Sequence, residues 1–284
     1  MNTAVILVLL SLLFTALNDF VFKVFAGKKC SLGGFIAVNG AVACLLMTFF
    51  PIDMGPSLKV TVGWGILGGL MSVSANILLI EAMARQSAGL CSTIYRMNMV
   101  LVILGACLFL GESITGYHQT LALLCALLAI VLFMPLGQKN TDFNWQGFFL
   151  ALAACFLRSL MGLFYKAALN QGVTANAMCI ITDCCWVVVG LAYVLIRERQ
   201  WGWLKDKSVL GLGCIGGLLI GSIILCMAGS LYLGDASKVL PMAQMSFLVT
   251  FLLSVAFLHE KADLRKVLAV ICGVCTVILL AMKL

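Results

Sequence analysis

The stretch Gly63-Trp64-Gly65-Ile66-Leu67-Gly68-Gly69-Leu70 returns as Gly211-Leu212-Gly213-Cys214-Ile215-Gly216-Gly217-Leu218, an offset of 148 residues (211 − 63). At the same offset Phe109-Leu110-Gly111-Glu112 becomes Phe257-Leu258-His259-Glu260, Ala88 becomes Ala236 and Met97 becomes Met245. The chain therefore divides into two copies, residues 1–137 and 138–284, which together make one transport domain. Each copy holds five apolar runs. An odd number of spans forces the second copy to enter the membrane upside down, the construction of a secondary transporter with its site at the repeat interface.

Composition makes membrane the class. The 284 residues are 63% hydrophobic and 10% charged, against roughly 25% charged in ordinary soluble chains, and the mean hydropathy is +1.14. A formal net charge of +7 is modest and lies mostly in short loops. It suits topology and lipid headgroups rather than nucleic acid. The thirteen cysteines fall almost all inside apolar runs, where a free thiol behaves as a small hydrophobe. Cys272 and Cys275 form a CxxC, but mid-span and without a partner motif, so no metal and no cofactor is expected. The first run lacks a basic leader and carries Asn18, Asp19 and Lys23 at its end; it reads as a retained span.

A spanning helix needs roughly 20 apolar residues. Ten runs qualify: 3–25, 32–50, 61–82, 90–110, 116–134, 144–166, 175–196, 208–231, 237–258 and 264–281. The expected fold is an all-α integral membrane protein of ten transmembrane helices built as two inverted five-helix repeats. Spans 4 and 9 read as continuous helices, with Pro241 loosening the second locally. The repeated glycines read as close-packing surfaces. The loop from Arg197 to Lys207, with Trp201 and Trp203 among charges, reads as an interfacial segment. Lys23, Glu81 and Lys166 sit near span ends, where snorkelling accounts for them, and His118 and His259 read as loop residues.

Side A denotes the face bearing both termini and side B the opposite face. Side B collects eleven basic residues, including Lys28, Arg85, Arg197 and Lys207; side A collects four, Lys59, Lys166, Lys238 and Lys283. The charge rule puts side B in the cytoplasm.

Both halves end in a long apolar helix, Phe-Leu-x-Glu, a short polar link (Ser113-Ile114-Thr115, then Lys261-Ala262-Asp263) and a final apolar span. This pattern resembles the EamA-type branch of the drug/metabolite transporter superfamily over essentially the whole chain. His259 departs from the usual glycine. The resemblance implies a ten-helix inverted-repeat carrier, multi-pass in a bacterial inner membrane, exporting or exchanging amino acids, related metabolites or drugs. It is generally drawn with both termini inside, against the charge rule, and it implies no catalytic motif. Glu112 and Glu260 read as capping or loop-anchoring residues at helix ends.

Charges inside the membrane are costly, at least about 2.5–3.5 kcal/mol each on insertion scales, so they face a cavity or a partner. Four lie well inside spans: Asp19, Arg96, Arg158 and Asp183. Asp19 and Arg96 fall roughly 9 Å below side B, and Arg158 and Asp183 roughly 12 Å below side A. These are two depth-matched pairs of opposite sign, one per repeat. Asn18, Asn39, Asn76, Tyr95 and Asn98 join the first, and Gln244 and Ser246 the second. Two readings stay open: each pair closes on itself as a structural ion pair, or the two groups line one central cavity. In the cavity reading an arginine holds a carboxylate and an aspartate meets an ammonium or carries a proton. The partners are then a small-molecule substrate, membrane lipids and, through Asp19 or Asp183, a coupled proton, in a monomer or weak homodimer. The runner-up functions are a flippase for a lipid-linked intermediate and a multidrug exporter. Intramembrane enzyme chemistry lacks HExxH, GxSxG and a close aspartate pair.

Overall fold

The computed structural model describes residues 3–50, 57–102, 117–133, 143–199, 202–233, 243–258 and 263–281. Among them every regular element is helical. The α-helices are α1 Thr3–Ala26, α2 Leu32–Met47, α3 Leu58–Arg85, α4 Ala88–Arg96, α5 Tyr117–Phe133, α6 Trp145–Asn170, α7 Ala175–Tyr193, α8 Lys207–Leu233, α9 Ser246–Leu258 and α10 Leu264–Ala281. Five of the described helices are long and apolar enough to cross a membrane: Val5–Ala26, Leu58–Arg85, Trp145–Asn170, Ala175–Glu198 and Lys207–Ser230. Glu112, Glu260, His259 and Pro241 and the side chains of Lys166 and His118 lie outside the described residues; the backbone at His118 belongs to α5, not to a loop.

Polar residues between the apolar runs start the helices. The Ser31 hydroxyl accepts from the Gly34 N–H (2.9 Å), Ser87 from Leu90 (3.4 Å), and the Asn144 side chain from Gly147 (3.0 Å). Each satisfies a first-turn donor that would otherwise be bare.

Glycine contacts fix how the helices run past one another. Along α2 and α7, Gly33 meets Gly190 and Gly40 meets Asp183, so the two run antiparallel. Along α1 and α8, Leu7 meets Gly229, Ser11 meets Ile223 and Lys28 meets Ser208, again antiparallel. The same holds for α3 and α6, through Trp64 with Phe164 and Gln86 with Asn144. By contrast α3 runs parallel to α7 (Gly65 on Ile181, Gly69 on Cys185), and α8 runs parallel to α2 (Gly213 on Val38, Gly217 on Val42). Two of the repeated glycine pairs are thus used alike, whereas Gly63 and Gly211 have open space and are not packing surfaces. Gly65 and Gly213 face residues 143 apart (181 − 38), as do Gly69 and Gly217 (185 − 42).

Exchanging α1 with α6, α2 with α7, α3 with α8, α4 with α9 and α5 with α10 maps the main packing pairs onto one another. The α3–α6 pair becomes α8–α1, α2–α8 becomes α7–α3, and α1–α9 becomes α6–α4; α2–α7, α4–α9 and α5–α10 map onto themselves.

Spans 4 and 9 are not continuous helices. The helix breaks at Met97 and resumes at residues 98–102; a second break falls at Met245, between residues 243–244 and α9. In both, a tight turn replaces the helical bond: Val100 N–H donates to the Met97 carbonyl and Leu248 N–H to the Met245 carbonyl, each 3.0 Å. The breaks sit at the sequence offset of 148 residues (245 − 97). Trp203, in the loop before α8, is buried against Gly34 at the start of α2. Nearby, Glu198 accepts from the Ser31 hydroxyl and from the Gly33 N–H at 3.0 Å, tying the end of α7 to the α2 N-terminus.

Candidate functional site

Asp19 on α1 and Arg96 on α4 meet. Arg96 Nη2 donates to both carboxylate oxygens at 3.1 Å. Ser92, one turn before Arg96, donates to Asp19 Oδ2 at 2.8 Å, and the Thr250 hydroxyl of α9 shares its proton between that oxygen at 3.3 Å and the Ser246 carbonyl at 3.1 Å. Asp19 is almost wholly buried, so these three donors supply what water would. The pair therefore closes on itself and clasps α1, α4 and α9. Ser92 and Thr250 were not legible in the sequence, because hydroxyls in apolar helices usually bond their own backbone.

The clasp exists in one half only. Carrying α1 onto α6 by 143 residues and α4 onto α9 by 148 takes Asp19 to Gly162 and Arg96 to Gln244. Thr250 corresponds to Val102, and Gly162 packs against Val102. The contact is kept while its charges are absent.

Arg158 and Asp183 form no ion pair. Arg158 Nη1 lies 3.0 Å from the Met161 thioether, a weak acceptor. Asp183 is 3% exposed and its Oδ2 is buried without a partner. Arg158 and Asp183 both lie within electrostatic reach of Tyr165 and Cys179. The Tyr165 hydroxyl donates to the Ala175 carbonyl at 3.1 Å and lies 3.4 Å from Cys179 Sγ.

The carboxamides divide. Asn76 donates to the Ser72 carbonyl and Asn98 to the Tyr95 carbonyl, each at 2.8 Å, so their amide nitrogens are engaged within their own helices. Asn39 is fully buried with neither side-chain atom bonded, facing Gly216 of α8. Asn18 Oδ1, Thr182 Oγ1, Gln244 Oε1 and Ser246 Oγ are likewise buried without partners, as is Arg96 Nε. Thr182 went unrecognised in the sequence as one hydroxyl beside a more conspicuous aspartate. The Lys23 ammonium donates to the Met83 and Gln86 carbonyls, 2.6 Å each, at the end of α3. Glu81 pairs with Arg85 at 2.7 Å on the same helix. No group of metal-ligating side chains occurs among the described residues.

No curated protein sequence matches the chain. A solved structure, described only as a crystal structure of a protein, matches with a TM-score of 0.61 at 15% identity, covering 99% of each chain. At that identity the likeness speaks for the fold alone. Residues 145–282 match the EamA-like transporter family. With apolar helices long enough to span, and with the paired Phe-Leu-x-Glu motifs that pointed the same way, this chain is a multi-pass membrane protein whose residues 145–282 match the EamA-like transporter family.

Proposed function

We propose that the protein is a secondary transporter that exports amino acids or similar small polar metabolites across a bacterial inner membrane by alternating access around a central polar cavity. The observation that carries this is the set of polar groups buried inside the spans without partners among the described residues: Asn18, Asn39, Thr182, Asp183, Gln244 and Ser246. Folding alone gives no reason to keep them, since each unsatisfied buried group costs about 1–3 kcal/mol. A polar solute satisfies them.

The packing directions support two inverted repeats. Following α1 to α8, α2, α7, α3 and α6 through their antiparallel and parallel contacts turns α6 opposite to α1. The matched breaks at Met97 and Met245 support it too, because interrupted helices at a repeat interface free backbone groups for a solute. Asp19 is neutralised by Arg96, so proton coupling falls to Asp183 in this reading.

Thermal stabilisation of the purified protein in detergent tests the proposal, against amino acids, sugars, nucleotide sugars, organic cations and a polyprenyl phosphate. An amino-acid shift is expected. A shift with the polyprenyl phosphate alone transfers the assignment to a lipid flippase, and one with organic cations alone to a multidrug exporter.

A further inference from the structure

Resting on the transporter reading above, we propose that the solute is held between α6 and α7, with Arg158 receiving its anionic group and Asp183 its cationic group, while the Asp19–Arg96 pair never meets it. α6 and α7 each pack along α3 more closely than along one another, and the proposed site is the interval between them. Their side-chain contact is Tyr165, reaching across to Ala175 and Cys179 near side A. Trp64 packs beside it against Phe164 and donates to Gln171 at 3.0 Å, closing that end.

The helix registers place both charges on the facing sides of α6 and α7. Arg158 and Tyr165 are two turns apart on one face of α6, and Cys179 and Asp183 one turn apart on one face of α7. The Tyr165–Cys179 contact turns those faces toward each other. Counting back from it, seven residues on α6 and four on α7, leaves Arg158 about 4.5 Å further from side A than Asp183. That stagger suits a small solute whose two charges are a few bonds apart.

Chemistry separates this site from the clasp. Asp19 accepts from three side chains and its arginine is spent on it. Arg158 has only a thioether, and Asp183 has a bare, buried oxygen with Thr182 Oγ1 unbonded beside it. A guanidinium offers planar two-point binding to a carboxylate, and an unpaired buried carboxylate calls for a cation.

Two measurements on the purified full chain test this. Without ligand, Asp183→Asn should leave the melting temperature unchanged or raise it, because no partner is lost, whereas Asp19→Asn should lower it. Equal falls in both would overturn the proposal, since Asp183 would then be structurally paired. The second measurement uses a mixture of the twenty proteinogenic amino acids, their methyl esters and their 2-hydroxy-acid analogues. The amino acids should bind wild type at least tenfold tighter than either analogue set. Arg158→Gln should abolish the preference over the esters, Asp183→Asn the preference over the hydroxy acids, and Arg96→Gln neither. Preferences lost in Arg96→Gln but kept in the other two would contradict the assignment. If no amino acid stabilises wild type, the proposed substrate falls, and the ligand-free contrast alone then decides where the unpaired site lies.

Discussion

Replacing Asp19 by Asn removes one charge from a buried cluster and almost nothing else. The amide is isosteric and keeps an oxygen for Ser92 and Thr250. What changes is Arg96, whose side chain is 10% exposed and whose Nε already lacks a partner. Breaking a buried pair by removing one member costs about 3–5 kcal/mol, because the survivor is left uncompensated. Arg96 retains the Tyr95 ring at 5.3 Å, a contact worth about 0.5–1 kcal/mol, so the low end, near 3 kcal/mol, is expected. Adding Arg96→Gln then removes the stranded charge and allows an amide–amide hydrogen bond. Replacing both members of a buried pair is often close to neutral, so the double variant should recover at least about 2 kcal/mol. SDS unfolding in mixed micelles of wild type, both single variants and the double variant reads these differences. A double variant less stable than Asp19→Asn, with the two losses simply adding, would refute the clasp.

Three further outcomes follow from the packing. Gly33→Ala should cost about 1–3 kcal/mol by overpacking, since its Cβ would lie 2.6 Å from the Gly190 carbonyl; Gly63→Ala, with open space, should be neutral or gain up to about 1 kcal/mol. The same unfolding assay checks both, and equal effects would contradict the α2–α7 contact. Lys23→Met should lose about 2 kcal/mol, because two charge-assisted bonds to the end of α3 disappear; an unchanged midpoint would contradict that cap. Cys44 and Cys184 sulfurs lie 3.8 Å apart across α2 and α7, so copper phenanthroline should join them, as read by peptide mass spectrometry. A Cys44–Cys185 link in its place would contradict the register.

Much of the fold was legible because the signals were periodic and paired. The Gly63–Gly69 and Gly211–Gly217 patches announced close packing, and Gly65, Gly69, Gly213 and Gly217 do face neighbouring helices with no room for a Cβ. Depth counting brought Asp19 and Arg96 together correctly, because two helices of known direction fix height. It could not say which face a residue occupies, and so treated Arg158 and Asp183 as an equal pair. The breaks at Met97 and Met245 escaped notice, since neither site carries glycine or proline and methionine is a good helix former. The burial of Trp203 was not legible either, because the slot for its ring is made by a glycine at position 34, far off in the sequence.

The most direct test of the central claim is counterflow in proteoliposomes. Vesicles holding purified protein and loaded with an unlabelled amino-acid mixture are diluted into trace labelled amino acids. The account predicts saturable, protein-dependent accumulation of label that Arg158→Gln reduces at least tenfold and Asp19→Asn spares when equal amounts of folded protein are compared. Vesicles that accumulate no amino acid, yet move a fluorescent polyprenyl phosphate between leaflets, would contradict it.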